Sequence, residues 1–463
     1  MSLQASDIAD ELVVPQDEEG VGLLTGRKGK DAPAVIKGSS WFSSAFLVVN
    51  AALGAGLLNF PQAYDQAGGV LIAIVIQTIM MTFVVMAIFI LAYISDLNHS
   101  ATYQDVVLSV CGRKAQIASA FALLIYCFGT CITFLIIIGD QWEEFFLFVA
   151  KKVYCDEQPI YMNRSFCVIV TSILLILPLC FPRRIDFLKY ASFVGVVGIV
   201  YVVVMVTVKY FLPHDPPQRV KTTPDSWMDV FLVVPTICFA YQCHVSIIPI
   251  YSCMEKRNVK EFTKTISVAM FLCVISYTVT AALGYLQFGQ SVTSDILLSF
   301  KPDIPVIFAV VFIAIKTYTT YPILLFCGRA AFESIWISAR RMAPEDIAQG
   351  ERMRRIITTV IWFGLTVVLA VLIPNIGVVI QMLGALAAVF IFIFPGMCLL
   401  KTSLNRLADS TSIEDQRKYK FFLYFSCFFI ILGAFIFGLT LTQAILKDAT
   451  PGGIKPDKSK FTC

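Results

Sequence analysis

The stretch from Asn50 to Pro61, NAALGAGLLNFP, constrains the fold of this chain more than any other. It lies in an apolar run, residues 41–67, that is long enough to cross a bilayer. Gly54 and Gly56 stand near its centre, where they let the helix backbone open. Unwound backbone survives inside a membrane only where protein or water satisfies its amides. The stretch therefore predicts a broken membrane helix that binds a small solute, with close helix packing at small residues as the alternative.

The composition is that of a polytopic membrane protein. Of the 463 residues, 57% are hydrophobic and only 15% are charged, whereas soluble proteins carry about 25% charged residues. The net charge is +4 and the basic residues are spread over loops, so we expect no nucleic-acid partner. Most of the 14 cysteines lie in apolar runs and form no metal-binding pattern. A disulfide between Cys155 and Cys167 is left open.

Apolar runs of spanning length follow one another with short polar breaks, which predicts about eleven transmembrane helices in one membrane domain, residues 39–446. The runs are 41–67, 70–94, 116–148, 165–181, 187–212, 229–252, 264–289, 304–335, 356–373, 376–400 and 419–446. An odd number of spans places the two termini on opposite sides of the membrane. With a cytosolic N-terminus, the cytosolic face holds about twice as many lysines and arginines as the other, so this orientation is predicted.

This topology assigns each tail to one side of the membrane. Residues 1–38 are polar and lack a signal-peptide core, so they are predicted to be a disordered cytosolic tail. Residues 447–463 are predicted to be a short lumenal or extracellular tail.

Two short motifs carry addressing or modification signals. Glu19, Leu23 and Leu24 match an acidic dileucine signal of the kind that endolysosomal sorting adaptors read. Asn163 begins an Asn-Arg-Ser sequon on the non-cytosolic side, which predicts a glycosylation site close to the membrane.

The sixth span is the second candidate for a broken helix, with its break near residue 240. Pro235 and Pro249 are expected to interrupt its hydrogen bonds, and Tyr241, Gln242 and His244 add polarity between them. Interruptions five spans apart are typical of two inverted five-helix repeats, the LeuT-type architecture. His244 is either a packing histidine or a proton sensor.

The eighth span holds the least expected charge. Lys316 precedes Thr319 and Thr320, whose hydroxyls, with carbonyls one turn earlier, would form an oxygen cage for Na⁺. Back-bonding of these hydroxyls to the helix is the alternative. An intramembrane lysine indicates a functional site, unless it snorkels to the interface. In the third span, Asp140 is either a proton-binding carboxylate or an interfacial anchor.

Several motifs resemble the sodium-coupled neutral amino acid transporters, the SNAT family. They are VVNAALGAGLLNFP, FLIIIGDQ, FLKYASF, PTICFAYQCHVS, YPILLFCGR and FIFPG, and the resemblance runs from about residue 41 to residue 440. It implies an all-α polytopic fold of LeuT type, with a 5+5 inverted repeat and broken helices 1 and 6. It also implies secondary-active transport by alternating access, with Na⁺ and/or H⁺ as coupling ion and no organic cofactor.

The resemblance also implies the binding residues. The amides of Gly54, Ala55 and Gly56 would hold the substrate α-carboxylate. Carbonyls near Phe239 and Ala240 would hold the α-ammonium. Asn59 is a candidate for side-chain selectivity.

The sodium site that the resemblance implies would use Asn50, Leu53, Lys316, Thr319 and Thr320. Lys316 departs from the small or apolar residue expected there. If its ammonium enters the cage it mimics the ion, which favours proton-driven or uncoupled transport. Lys316, His244 and Asp140 are the candidates for pH sensing.

The resemblance is strongest to lysosomal carriers of glutamine and asparagine. The interpretation is therefore export of neutral L-amino acids from the lysosome to the cytosol, with the plasma membrane as the alternative location. A sorting adaptor is the expected partner of the tail. The competing hypothesis is an amino-acid sensor without net flux. HExxH, GxSxG and paired-aspartate motifs are absent from the spans, so an enzyme is not expected.

Overall fold

The computed structural model describes residues 39–156, 159–182, 189–213, 216–217, 219–340, 344–373 and 375–449. The predicted tail 1–38, with its hexamer of Glu19, Leu23 and Leu24, lies outside the described residues, as does most of the predicted C-terminal tail.

Helices joined by loops make up the described chain, with one isolated β-bridge between Ser39 and Met254. The helices of the first half are α1 (Trp41–Ala52), α2 (Gly56–Gln66), α3 (Val70–Asn98), α4 (Tyr103–Cys111), α5 (Arg113–Asp156), α6 (Arg164–Thr171), α7 (Leu177–Cys180) and α8 (Lys189–Phe211). Those of the second half are α9 (Val234–Ala240), α10 (His244–Ser252), α11 (Val259–Phe288), α12 (Ile304–Arg340), α13 (Pro344–Leu372), α14 (Ile376–Ala388), α15 (Phe394–Asp409) and α16 (Ile413–Ala449). Single π-helical turns join α6 to α7 and α14 to α15.

Within the described residues, nine helical segments are long and apolar enough to span a membrane, and the bent pair α1–α2 makes a tenth. The fourth predicted span corresponds to the shorter apolar segment Arg164–Cys180. The all-helical polytopic fold is therefore confirmed.

The first span breaks where the glycines predicted it. α1 ends at Ala52, α2 begins at Gly56, and the two helices are bent by 60°. Gly68 and Gly69 then turn the chain into α3 at φ values of 91° and 124°, which only glycine adopts without strain.

The sixth span is also broken, near residue 240 as expected, although the break falls at neither proline. Pro235 lies in the first turn of α9, where a missing N–H breaks no helical hydrogen bond, and Pro249 lies inside α10. The interruption falls between them, at residues 241–243. A turn at this point follows Tyr241, whose φ and ψ of −94° and 8° leave the helical region.

Matched features recur five spans apart. The first and sixth spans are broken, and the long helices of the third and eighth spans, α5 and α12, form the most extensive helix pair. A short helical segment also follows the second span (α4) and the seventh (Ile296–Ser299). This spacing agrees with the predicted two-repeat architecture and places both breaks at its centre.

Candidate functional site

The two broken spans meet at their breaks. Gly56, the first residue of α2, lies against Ala240, the last residue of α9. A Cβ added to Gly56 would stand 2.7 Å from the Cβ of Ala240 and 3.0 Å from its Cα. Only a residue without a side chain allows this approach, so Gly56 brings the amino end of α2 to the carboxyl end of α9.

The site therefore joins helix ends of opposite polarity. The N–H groups of the first turn of a helix have no intrahelical acceptor, and its last carbonyls have no intrahelical donor. The amino end of α2 carries partial positive charge and the carboxyl end of α9 carries partial negative charge. A zwitterion with adjacent carboxylate and ammonium groups matches this pair of ends.

One side chain that the sequence analysis did not single out connects both breaks. Tyr277 of α11 is fully buried, and its hydroxyl lies 2.7 Å from the Ala52 carbonyl and 3.1 Å from the Ala240 carbonyl. The same hydroxyl accepts the Gly54 N–H at 3.4 Å. The available signal was a tyrosine in the middle of an apolar span, which needs a hydrogen-bond partner when it is buried.

Aromatic rings hold Tyr277 in position. Its ring stacks on Phe60 with centroids 4.6 Å apart, and the edge of Tyr241 approaches it at 4.9 Å. The Tyr241 hydroxyl accepts from Gln77, which in turn accepts from Tyr64 at 2.6 Å. This buried network links the second span to both broken spans.

Phe239 and Ala240, whose carbonyls the resemblance assigns to the α-ammonium, are the last two residues of α9. The Phe239 carbonyl accepts the N–H of Gln242 at 3.4 Å, which is a long and weak hydrogen bond. The Phe239 ring packs beside Tyr126 of the third span. The Phe239 carbonyl is therefore available to a stronger donor such as an ammonium group, whereas the Ala240 carbonyl already accepts from Tyr277.

Asn59 is held in a structural network rather than presented as a free amide. Its Oδ1 accepts from Thr236 at 3.2 Å, and its Nδ2 donates to the Ser294 carbonyl at 3.0 Å and to Gln62 at 3.2 Å. Asn59 thereby ties α2 to α9 and to the segment before α12.

Lys316 and Leu53 are brought together. The Lys316 side chain is only 6% exposed, and its ammonium donates to the Leu53 carbonyl at the first break. Its stem packs on Gly195 of α8, where an added Cβ would lie 3.1 Å from Lys316 Cγ. Within the described residues it forms no ion pair with a carboxylate. This inward position is incompatible with snorkelling.

The other members of the predicted sodium cage lie less directly on this site. The Thr319 hydroxyl donates to the Ile315 carbonyl at 2.8 Å and lies 3.1 Å from the Lys316 carbonyl, and the Thr320 hydroxyl donates to the Lys316 carbonyl at 2.7 Å, which is the back-bonding alternative. Their oxygens keep lone pairs that a cation could share. Asn50 is half-buried on α1, and no hydrogen bond of its side chain occurs among the described residues.

The remaining pH candidates have structural partners. His244 is fully buried at the start of α10, with Nε2 3.3 Å from the Val84 carbonyl and Nδ1 without a partner in the described chain. Asp140 pairs with Arg164 at 3.0 Å. Gly139 leaves room for that guanidinium, because an added Cβ would lie 2.9 Å from its carbon.

Asp140 belongs to a larger buried acidic cluster that the sequence analysis did not find. Asp295 accepts from Gln141 at 3.0 Å and from the Leu297 N–H at 2.9 Å. Burial, and then the negative charge of Asp140, raise the pKa of Asp295 to about 8. Glu144 is also buried nearby, and its Oε1 has no hydrogen-bond partner in the described part of the chain.

Asn163, the predicted glycosylation site, is exposed, and its side-chain oxygen caps α6 by accepting from Ser165 at 2.9 Å. The Cys167 thiol donates to the Tyr161 carbonyl. The side chain of Cys155 lies outside the described residues, so a bridge between Cys155 and Cys167 is untested.

Comparison with known proteins finds relatives along most of the chain. A family model described as "Transmembrane amino acid transporter protein" matches residues 37–446. The chain is 43% identical over 420 residues to "Sodium-coupled neutral amino acid transporter 7" of Danio rerio, which covers 89% of this chain and 88% of the relative. It is 33% identical over 441 residues to "Putative sodium-coupled neutral amino acid transporter 8" of Xenopus tropicalis, covering 93% and 98%. Among solved structures, MhsT in complex with L-phenylalanine aligns with a TM-score of 0.49 at 12% identity, over 88% of this chain and 100% of MhsT.

The contact between the two breaks predicts different outcomes for the two glycines. Gly56→Ala forces a methyl group into Ala240 and should destabilise the protein by roughly 1–3 kcal/mol, as overpacking does. Gly54→Ala is the matched control, because an added Cβ there has only the Ala52 oxygen nearby, at 4.0 Å. Thermal unfolding of both purified variants measures the difference. Equal melting temperatures for the two variants would contradict the close contact.

The raised pKa of Asp295 predicts a pH-dependent stability term. Between about pH 4 and pH 8 the native carboxyl holds a proton that the unfolded chain has lost, so this term lowers stability as pH rises. Asp295→Asn removes the titration and keeps an oxygen for the Leu297 N–H. The melting temperature of this variant, relative to wild type, should therefore rise steadily from pH 5 to pH 8.

Asp225→Asn is the control for this series. Asp225 is exposed, and its hydrogen bond with Lys221 lowers the pKa of its carboxyl, so the same trend is not expected. If the difference in melting temperature between Asp295→Asn and wild type stays constant from pH 5 to pH 8, Asp295 is ionised over that whole range.

Proposed function

This chain belongs to the transmembrane amino acid transporter family, and on that premise we propose that it carries neutral L-amino acids by alternating access. The membership confirms the prediction of a transporter rather than an enzyme. The observation that carries the proposal is the contact between two interrupted spans, at which an amino end and a carboxyl end of helices face each other. The names of the relatives support neutral amino acids as substrates.

The backbone supplies recognition of the part that all α-amino acids share. The amides of Gly54, Ala55 and Gly56 receive the α-carboxylate, because the amino end of a helix attracts anions. The carbonyls of Phe239 and Ala240 receive the α-ammonium. The Ala52 carbonyl, which contacts the same Tyr277 hydroxyl as the Ala240 carbonyl, is the third acceptor beside them. A backbone site of this kind binds the common zwitterion and leaves the choice among side chains to the surrounding spans.

Glutamine and asparagine are the proposed substrates within this class. Their support is the resemblance to the lysosomal members of the family. The side-chain amides of Asn59 and Gln62 lie within two turns of Gly56. Both are hydrogen-bonded to each other or to the protein, so the proposal requires the Asn59 network to rearrange before these amides recognise a substrate amide.

Coupling is proposed to act at the Leu53 carbonyl. Sodium coupling is supported by the names of the relatives and would place Na⁺ among Asn50, Leu53, Thr319 and Thr320. The Lys316 ammonium already contacts the Leu53 oxygen, so Na⁺ and this ammonium compete for one ligand. Release of a proton from Lys316 would free the carbonyl, which connects transport to a proton gradient.

The proposed location is the lysosomal membrane, with the N-terminus in the cytosol and export towards the cytosol. Support comes from the acidic dileucine hexamer in the N-terminal tail and from the charge asymmetry of the loops. Asn163 would then be glycosylated on the lumenal side. A sorting adaptor is the proposed partner of the tail.

Flux of radiolabelled glutamine into proteoliposomes of the purified protein tests this function. The protein should move glutamine in both the presence and absence of Na⁺, and Lys316→Met should raise the sodium stimulation by about threefold or more, because the competing ammonium is gone. Lys209→Met, which removes a loop-proximal lysine paired with Asp303, is the control and should leave the sodium response unchanged.

Each alternative has its own outcome in this assay. Binding of neutral amino acids without flux in any gradient would favour the sensor. A sodium response unaltered in Lys316→Met would remove the competition at Leu53.

The sorting hexamer predicts a change of location. Leu23→Ala combined with Leu24→Ala should move the protein from lysosomes to the cell surface, which surface biotinylation measures. Leu3→Ala combined with Leu12→Ala alters the same tail outside the hexamer and should not. Lysosomal residence of both double variants would leave the hexamer without a role.

A further inference from the structure

We infer that the Tyr277 hydroxyl and the α-amino and α-carboxylate groups of the substrate compete for the same backbone groups, so that substrate binding displaces this hydroxyl. The inference rests on the proposed function, since it takes the two breaks as the substrate site. Tyr277 is then a positioning residue. Its hydroxyl occupies the backbone groups of both breaks while the site is empty and leaves them when the substrate binds.

The Tyr277 hydroxyl makes both kinds of contact that a zwitterion would make at the two breaks. It accepts from the Gly54 N–H, as a carboxylate would, and it lies within donating distance of the Ala52 and Ala240 carbonyls, as an ammonium would. No other side chain among the described hydrogen bonds contacts both breaks.

The hydroxyl satisfies these groups less completely than an amino acid would. It has a single proton, so the Ala52 carbonyl at 2.7 Å and the Ala240 carbonyl at 3.1 Å compete for it. The Gly54 N–H at 3.4 Å is beyond the usual range for such bonds. An ammonium offers three protons and a carboxylate two oxygens, so exchange of the hydroxyl for a substrate improves the hydrogen bonding of the breaks.

Displacement also has a mechanical consequence. Tyr277 belongs to α11, which packs against both α1 and α2, and its ring is stacked on Phe60 of α2. While the hydroxyl holds the breaks, α11 is joined to the first and sixth spans. When a substrate takes over the Ala52 and Ala240 carbonyls, these hydrogen bonds are lost while the stacking of Tyr277 on Phe60 remains, so α11 is held less tightly to the breaks. A ligand shifts a conformational equilibrium only through such a difference between states.

Tyr277→Phe isolates the hydroxyl because it keeps the ring and its stacking. Without substrate, the variant leaves the Ala52 and Ala240 carbonyls without their donor, whereas the substrate-bound protein loses nothing. The dissociation constant for glutamine should therefore fall by about five- to tenfold, the equivalent of one hydrogen bond of about 1–1.4 kcal/mol. Without substrate, the melting temperature of Tyr277→Phe should lie below that of the wild type. With saturating glutamine, the variant and the wild type should melt at the same temperature.

Tyr285→Phe is the matched control. Tyr285 is a fully buried tyrosine of the same helix, and its hydroxyl accepts from the Lys221 N–H at 2.8 Å, away from the breaks. Its loss should lower the melting temperature with and without glutamine to the same extent and leave the dissociation constant unchanged.

The outcomes separate this inference from the proposed function. Weaker glutamine binding by Tyr277→Phe would mean that the hydroxyl contacts the substrate directly, and an unchanged dissociation constant would mean that it only supports the fold. Either result overturns the competition. Absence of binding by the wild-type protein for every neutral amino acid would instead overturn the proposed function.

A second measurement covers the case in which Tyr277→Phe does not fold. 3-Fluorotyrosine placed at position 277 keeps the hydroxyl and reports on its surroundings by ¹⁹F NMR. Saturating glutamine should move this resonance, because the hydroxyl leaves the backbone carbonyls. A resonance that stays in place while glutamine binds would overturn the inference.

Discussion

Every N–H and carbonyl at the two helix breaks needs a partner from the protein, from water or from a bound substrate, because the lipid interior of a bilayer offers none. The rest of the site depends on this requirement. Tyr277 meets it with one hydroxyl shared among the Ala52 and Ala240 carbonyls and the Gly54 N–H. That hydroxyl comes from the seventh span, so its hydrogen bonds connect the seventh span to the first and sixth spans.

Small residues decide which groups approach one another. Gly56 admits Ala240, and Gly195 admits the stem of Lys316, so both the meeting of the breaks and the buried ammonium depend on a missing side chain. The buried charges then differ in what they can do. Asp140 is paired with a guanidinium, which satisfies it locally. Lys316 has only a backbone oxygen as its described partner, and a charge held in that way is costly enough to indicate function.

Features that depend on local chemistry were predictable from the sequence. Gly54 and Gly56 predicted the first break correctly, because two glycines close together beside polar residues allow the backbone of an apolar span to open. Apolar runs of spanning length predicted the helices, because the thickness of the bilayer sets the length of an apolar span. The break of the sixth span was likewise predicted near residue 240, but neither of its two prolines lies at the break, since a proline in the first turn of α9 fits the helix and the chain turns after Tyr241.

What the sequence determined by itself is thus the polytopic helical fold, the broken first and sixth spans and the unusual intramembrane lysine, all of which follow from residue type and spacing. Only the tertiary structure decided the partners. Tyr277 lies 223 residues from Gly54, and Lys316 lies 263 residues from Leu53. No local pattern encodes such pairs, because they form only when helix packing brings distant spans within hydrogen-bonding distance.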